Sequence, residues 1–222
     1  MQVEWYGQSA FRLSADGATV FVDPFGDVSA LSARGLQWDY PAIEGVEADL
    51  LLVTHEHRDH NAVEVIGGSP AVLRSTAGRL ESPVGEVVAV ASEHDPVAGT
   101  ARGPNTIFVF EFDGIRVAHF GDLGQHALRP EQAEAIGEVD LAFVPVGAGP
   151  TIGAEQAAAI AEQLRPSWLV PMHYRTHRIG FLEPVDELLV RMPKVHHLDA
   201  PSFELGALPT ADGTFVVVPA AP

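Results

Sequence analysis

Residues 55–60 read His-Glu-His-Arg-Asp-His and directly follow the apolar run that ends at Thr54. Three imidazoles and a carboxylate within six positions are the nitrogen and oxygen donors that hold zinc, manganese or iron. In extended chain, His55 and His57 point the same way, because alternate residues share a face. Asp59 and His60 then face a second position. The helical zinc-protease pattern H-E-x-x-H is excluded, since Asp59 stands where the second histidine is required. The chain has no cysteine, which excludes disulfides and thiolate nucleophiles and leaves any metal to His, Asp and Glu.

Four donors in one segment make half a site, and the other half must come from elsewhere. Three further apolar runs end in the same way. His94 follows Val87–Ala91, Asp122 follows Ile115–Phe120, and His173 follows Trp168–Pro171. The C-terminal strand edge is where ligands bind in open α/β sheets. If these ends converge, His55, His57, Asp59, His60, His94, Asp122 and His173 face one another, an inventory suited to two divalent ions. Asp122, with Gly121 and Gly124 near it to allow close backbone approach, is the candidate to sit between two cations and offset their repulsion.

The remaining histidines carry less weight. His196 and His197 are adjacent, so in a strand they face opposite ways and read as structural or solvent-facing. His119 reads as a core residue or a support for a ligand, and His126 stays open. His177, four residues after His173 in "PMHYRTHRIG", is a candidate substrate or leaving-group contact. Tyr174 and Arg175 are further candidates for substrate contact. Arg102 and Asn105 of "RGPN" are read equally well as a loop held by its own polar side chains.

The elements that must position these residues begin with β-type runs over Val3–Leu13 and Ala18–Val22, joined by a hairpin turn at "SADG". A long breaker-rich loop covers Asp23–Pro41, and long loops in compact domains are often functional. Ala48–Thr54 reads as a strand buried on both faces, and His60–Ile66 as a short helix stopped by Gly67 and Gly68. Strands follow at Ala71–Leu73 and Val87–Ala91. A second hairpin joins Thr106–Phe112 to Ile115–Phe120 through Asp113-Gly114. Then come a helix over Pro130–Ile136, a strand over Leu141–Val146, a helix over Ala154–Leu164 and a strand over Trp168–Pro171. A helix over Asp186–Met192 and a strand over Thr214–Val218 complete the order. One domain over residues 1–222, built from two mixed sheets with helices outside, fits this order.

Composition narrows the function. At 222 residues, 46% hydrophobic and 19% charged, the chain supports one sizeable core and is not disordered. The net charge is −17 and no basic stripe is present to neutralise phosphates, which excludes a nucleic-acid partner. A small-molecule substrate is expected, and an anionic one is allowed because bound cations dominate the local field. No apolar run approaches a membrane span and the start lacks the pattern of a signal peptide, so a cytoplasmic protein is expected. Association of identical chains is left open.

"HEHRDH" matches the H-x-H-x-D-H signature of the metallo-β-lactamase superfamily, and His94, Asp122 in "GDLG" and His173 in "PMHY" follow in that family's order. "VDPF", with Asp23, resembles its early strand-end motif. "RGPNTIFVFEFDGIRVAHFGDLG" and "VPMHYRT" resemble the branch that includes ascorbate-6-phosphate lactonase and N-acyl-phosphatidylethanolamine phospholipase D. The resemblance spans nearly the whole chain. It implies an α/β fold, a four-layer αβ/βα sandwich of two mixed β-sheets with outer helices. It also implies His55, His57 and His94 on one metal, Asp59, His60 and His173 on the other, Asp122 bridging, and Asp23 holding a ligand's orientation. No ligand position departs from the pattern. The chain is short, however. It is therefore expected to lack the extra domain of RNA-processing members and the exported start of antibiotic-destroying ones. It also has His57 where flavodiiron relatives carry Glu.

The chemistry expected is hydrolysis. A water between two divalent ions, zinc or else manganese or iron, loses its proton near neutral pH and attacks an ester, lactone or phosphodiester. Asp59 and Asp122 would be catalytic as well as ligating, with His177 at the leaving group. The competing expectation is a metal-stabilised binding or regulatory protein without turnover.

Overall fold

The structure is a computed structural model that describes residues 1–29, 35–210 and 212–222. The first sheet is built from β1 (Gln2–Gly7), β2 (Ala10–Ala15), β3 (Ala18–Val22), β4 (Glu47–Val53), β5 (Gly67–Arg74) and β13 (Ser202–Glu204), in the order β13-β1-β2-β3-β4-β5. The second contains β6 (Gly78–Ser82), β7 (Gly85–Glu93), β8 (Pro104–Phe112), β9 (Ile115–His119), β10 (Leu141–Pro145), β11 (Trp168–Met172), β12 (Val195–His197) and β14 (Phe215–Val218). Its order is β12-β14-β11-β10-β9-β8-β7-β6. Among the described residues, three α-helices follow the first nine strands: α1 (Pro130–Ile136), α2 (Ala154–Leu164) and α3 (Asp186–Arg191). None of the described helices is long and apolar enough to cross a membrane.

Both sheets are mixed, as expected, and the mixture explains why one edge collects the polar residues. β3 runs parallel to β4, and β9 runs parallel to β10 and β10 to β11. β7 and β9 are each antiparallel to β8, so β7 and β9 point the same way. The C-terminal ends of β7, β9 and β11 therefore lie on a single edge of the second sheet.

The core lies between the sheets. Phe11 of β2 packs on Phe143 of β10 with ring centroids 4.4 Å apart. Leu50 and Leu52 of β4 join this core, while Leu51 faces the other way into a smaller cluster with Phe21, Phe25, Trp38 and Tyr40. β4 is thus apolar on both faces, as its sequence requires. α2 buries Ala154, Ala157, Ile160 and Ala161, the one-sided stripe of an amphipathic helix.

Two local expectations change. The run Val3–Leu13 is two strands, because the chain reverses at Gln8, which has φ +48°. His60–Ile66 is not a helix, and only a 3-10 turn at Val63–Val65 forms before the chain extends at Ile66. Val63, Val65 and Ile66 are β-branched and poor helix formers, and Gly67 opens β5 rather than ending a helix. The "SADG" and "DG" hairpins form as expected, with positive φ at Asp16, Gly17, Asp113 and Gly114, the two-residue turn that suits strand twist. Residues 30–34 of the Asp23–Pro41 loop lie outside the described residues.

Candidate metal centre

The centre is assembled where β3, β4, β7, β9 and β11 end. Asp23 follows β3, His55 follows β4 and Thr54, His94 follows β7, Asp122 lies three residues beyond β9, and His173 follows β11. Asp23 and His173 take left-handed backbone at φ +51° and +50°. Such residues cost about 1–3 kcal/mol each and cluster at functional sites. Two glycines allow the close approach. A β-carbon at Gly121 would run into Asn105 and Thr54, and one at Gly147 would run into the His173 carbonyl.

The seven residues singled out in the sequence come together. Three groups have their donor atoms within 4.8 Å of one another: His55, His57 and His94; His55, His60 and Asp122; Asp59, His60 and His173. Asp122 Oδ2 is the common point, 3.3 Å from His60 Nε2, 3.4 Å from His94 Nε2 and 3.2 Å from His173 Nε2. His60 Nε2 lies 3.6 Å from Asp59 Oδ2, and it is buried without a hydrogen-bond partner. Donors on one tetrahedral zinc, with bonds of about 2.1 Å, are about 3.4 Å apart. The spacing and the unpartnered buried nitrogen therefore fit divalent cations. His57 is exposed and Asp59 half-buried, so the centre opens on that side, while His55, His60, His94, Asp122 and His173 are buried.

Supporting contacts fix several of these groups. Asp23 Oδ2 accepts from His60 Nδ1 at 2.9 Å and from the Thr54 hydroxyl at 2.7 Å, and Asp23 Oδ1 accepts from the Thr54 N–H at 2.8 Å. Since the Thr54 proton goes to Asp23, its oxygen accepts from His55 Nδ1 at 3.1 Å. Both chains of contacts keep a proton on Nδ1, so Nε2 is the nitrogen left to a metal. Asp122 is held by the Ser9 hydroxyl on Oδ1 at 3.2 Å, and its own N–H donates to Asn105 Oδ1 at 3.0 Å. His119 is buried. Its Nδ1 accepts from Gly121 N–H at 3.2 Å and its Nε2 donates to the Ser9 carbonyl at 3.0 Å, so it braces both neighbours of Asp122.

Electrostatics sort the imidazoles. Burial, helped by neighbouring imidazoles, pushes His55 far below its usual range and His94 down to about 4, so both are neutral at pH 7. Burial also pulls on His60, but the Asp122, Asp59 and Asp23 carboxylates outweigh it and hold its pKa well above the usual value. Burial would raise Asp122, yet His173 and His60 overcome it and keep the carboxyl ionised.

The substrate candidates are dispersed. His177 and Arg175 are exposed on the loop after His173, outside the three donor groups. Tyr174 is buried against Trp5, with ring centroids 5.5 Å apart, and burial pushes its phenol up. It is a packing residue. Asn105 is a buried support, and Arg102 is exposed. Ser9 and Thr54 were not singled out in the sequence. Thr54 had a signal in its place between the apolar run and His55. Ser9 had only the polar Gln8-Ser9 break in a β-type run.

A family model described as the beta-lactamase superfamily domain matches residues 2–173. The chain belongs to this superfamily, and its two mixed sheets form the metallo-β-lactamase fold. A metallo-β-lactamase-superfamily protein of Thermotoga maritima is 32% identical with a TM-score of 0.78, covering 99% of both chains. A UPF0173 protein of Pyrococcus furiosus is 32% identical over 199 residues, 80% of this chain and 85% of the relative. A protein of Methanosphaera stadtmanae named UPF0173 metal-dependent hydrolase is 28% identical over 208 residues, 79% of this chain and 85% of its own length.

Proposed function

We propose that the protein is a metal-dependent hydrolase that holds two divalent cations and cleaves an ester, lactone or phosphodiester of a small molecule. The observation that favours this most is the convergence of His60, His94 and His173 Nε2 on one buried carboxylate oxygen, Asp122 Oδ2, at 3.2–3.4 Å. His55, His57 and His94 would hold one cation, Asp59, His60 and His173 the other, and Asp122 both. The names of the curated relatives agree with this class. Zinc suits the donor set, and manganese or iron is also accommodated by imidazole and carboxylate.

When bound, the cations supply Lewis acidity and a water of lowered pKa. The chain's own residues do the rest. Asp23, Thr54, Ser9 and Asn105 hold the donors in place, so little reorganisation is needed during reaction. Asp59, half-buried at the open side, orients the attacking water. His177, on the loop that follows His173, is assigned the leaving-group proton. The substrate approaches past exposed His57.

The test is elemental analysis of protein purified without added metal, followed by activity on a panel of esters, lactones and bis-aryl phosphodiesters with the same sample. Bound divalent metal together with turnover of at least one class is expected. A fully loaded protein that turns over none of them would be a metal-stabilised binding protein instead.

A further inference from the structure

A cavity of about 280 Å³ adjoins the centre on the side of His94, between the 95–103 loop and the start of α2. Its wall includes His94, Asp95, Arg102, His126, Thr151 and Gly153. Three features offer this cavity donors for an anion in a chain of net charge −17. The first is Arg102, whose exposed guanidinium has no ion-pair partner among the described residues. The second is the N-terminus of α2, an 11-residue helix where Gln156 Oε1 accepts from the N–H of the N-cap Gly153 at 3.2 Å, while Gly153 has no side chain to accept from the first-turn N–H groups. The first-turn N–H groups thus lack the acceptor that Ser or Asp would give, and the helix dipole favours an anion there. The third is His94, only 1% exposed. Its Nε2 faces Asp122, so Nδ1 lies on the opposite ring edge, where it is buried with no partner.

One carboxylate lies in the wall, and it is already occupied. Asp95 Oδ1 accepts from the N–H groups of Val97 and Gly99, and Oδ2 from those of Ala101 and Arg102, all at 2.7–2.9 Å. These four bonds shape the loop that presents Arg102 and engage both oxygens of Asp95, which stays ionised.

We propose that this cavity binds an oxyanion group of the substrate, a phosphate or a carboxylate, and so sets the scissile bond over the metal centre. The proposal deepens the hydrolase reading and rests on it for the catalytic consequence, whereas the binding itself does not depend on turnover.

The test is calorimetric titration of inorganic phosphate and of acetate into the protein as purified, into protein stripped with a chelator, and into Arg102→Gln and Arg102→Lys. One site per chain is expected, at least tenfold weaker in Arg102→Gln and partly restored in Arg102→Lys. Stripped protein should keep that site, which separates it from anions held by the cations. The tighter of the two anions tells phosphate from carboxylate substrates. The proposal is overturned if neither anion binds, if binding disappears with the cations, or if Arg102→Gln binds like wild type. A sample that binds the anion through Arg102 yet hydrolyses nothing would refute the hydrolase reading while leaving the anion site intact.

Discussion

His55 and His60, which follow a strand of the first sheet, are tied through Nδ1 to Asp23, directly or by way of Thr54. His94 and His173, which follow strands of the second sheet, leave Nδ1 buried and unpartnered. The first pair is therefore oriented before a cation arrives. The second pair is placed by backbone geometry, such as the left-handed turn at His173. A carboxylate that orients a ligating imidazole also raises its basicity, which sharpens the contrast. His60 sits among carboxylates and is held in its charged form, whereas His94 is held neutral by burial.

The largest effect that probes this contrast is Asp23→Ala. It removes the acceptor for His60 and the anchor of the Thr54 hydroxyl that accepts from His55, and is expected to weaken metal affinity about 10–100-fold. It also strands the buried Thr54 N–H, at a cost of about 1–3 kcal/mol. Competition with a chelating dye and denaturant unfolding measure the two parts. Unchanged affinity would mean that the first sheet is no better prepared than the second.

Next is pH. A ligating imidazole must be neutral. His94, with its pKa near 4, gives up no proton on loading at pH 7, whereas His60 must lose one. Metal affinity is thus expected to rise about tenfold per pH unit through neutrality. Calorimetry in two buffers of different ionisation enthalpy should find a proton released. Absence of release would contradict a charged His60.

The smallest effect is Glu56→Gln. Glu56 stands inside the donor motif, but its carboxylate is exposed and bonded to Arg74, Ser75 and Asn61. Breaking an exposed pair of this kind costs about 0–1 kcal/mol. Melting temperature and metal content should stay close to wild type, and a loss of metal would show that motif position matters more than contacts.

The same division governs what the sequence made legible. Donors were readable because apolar central strands end abruptly in His or Asp, as at Thr54–His55 and Met172–His173. Of the four sheet edges, only Ala71–Leu73 within β5 was. β5 begins Gly-Gly-Ser-Pro, β6 is largely polar, and β12 and β13 have three residues each. Edge strands tolerate Pro, polarity and shortness because one side of their backbone needs no partner. Ser9 was hidden for another reason. Its bond to Asp122 spans 113 positions, and no local pattern encodes such a pairing. The cavity beside His94 was equally invisible, since it needs the 95–103 loop and α2 side by side.

The proposed two-cation centre, made by four strand ends, hinges on Asp122. Its most direct measurement is metal content per chain in wild type and in Asp122→Ala, purified identically. About two ions per chain are expected in wild type, and at most a small fraction of that in the variant. Two ions retained in Asp122→Ala, with hydrolytic activity intact, would contradict it.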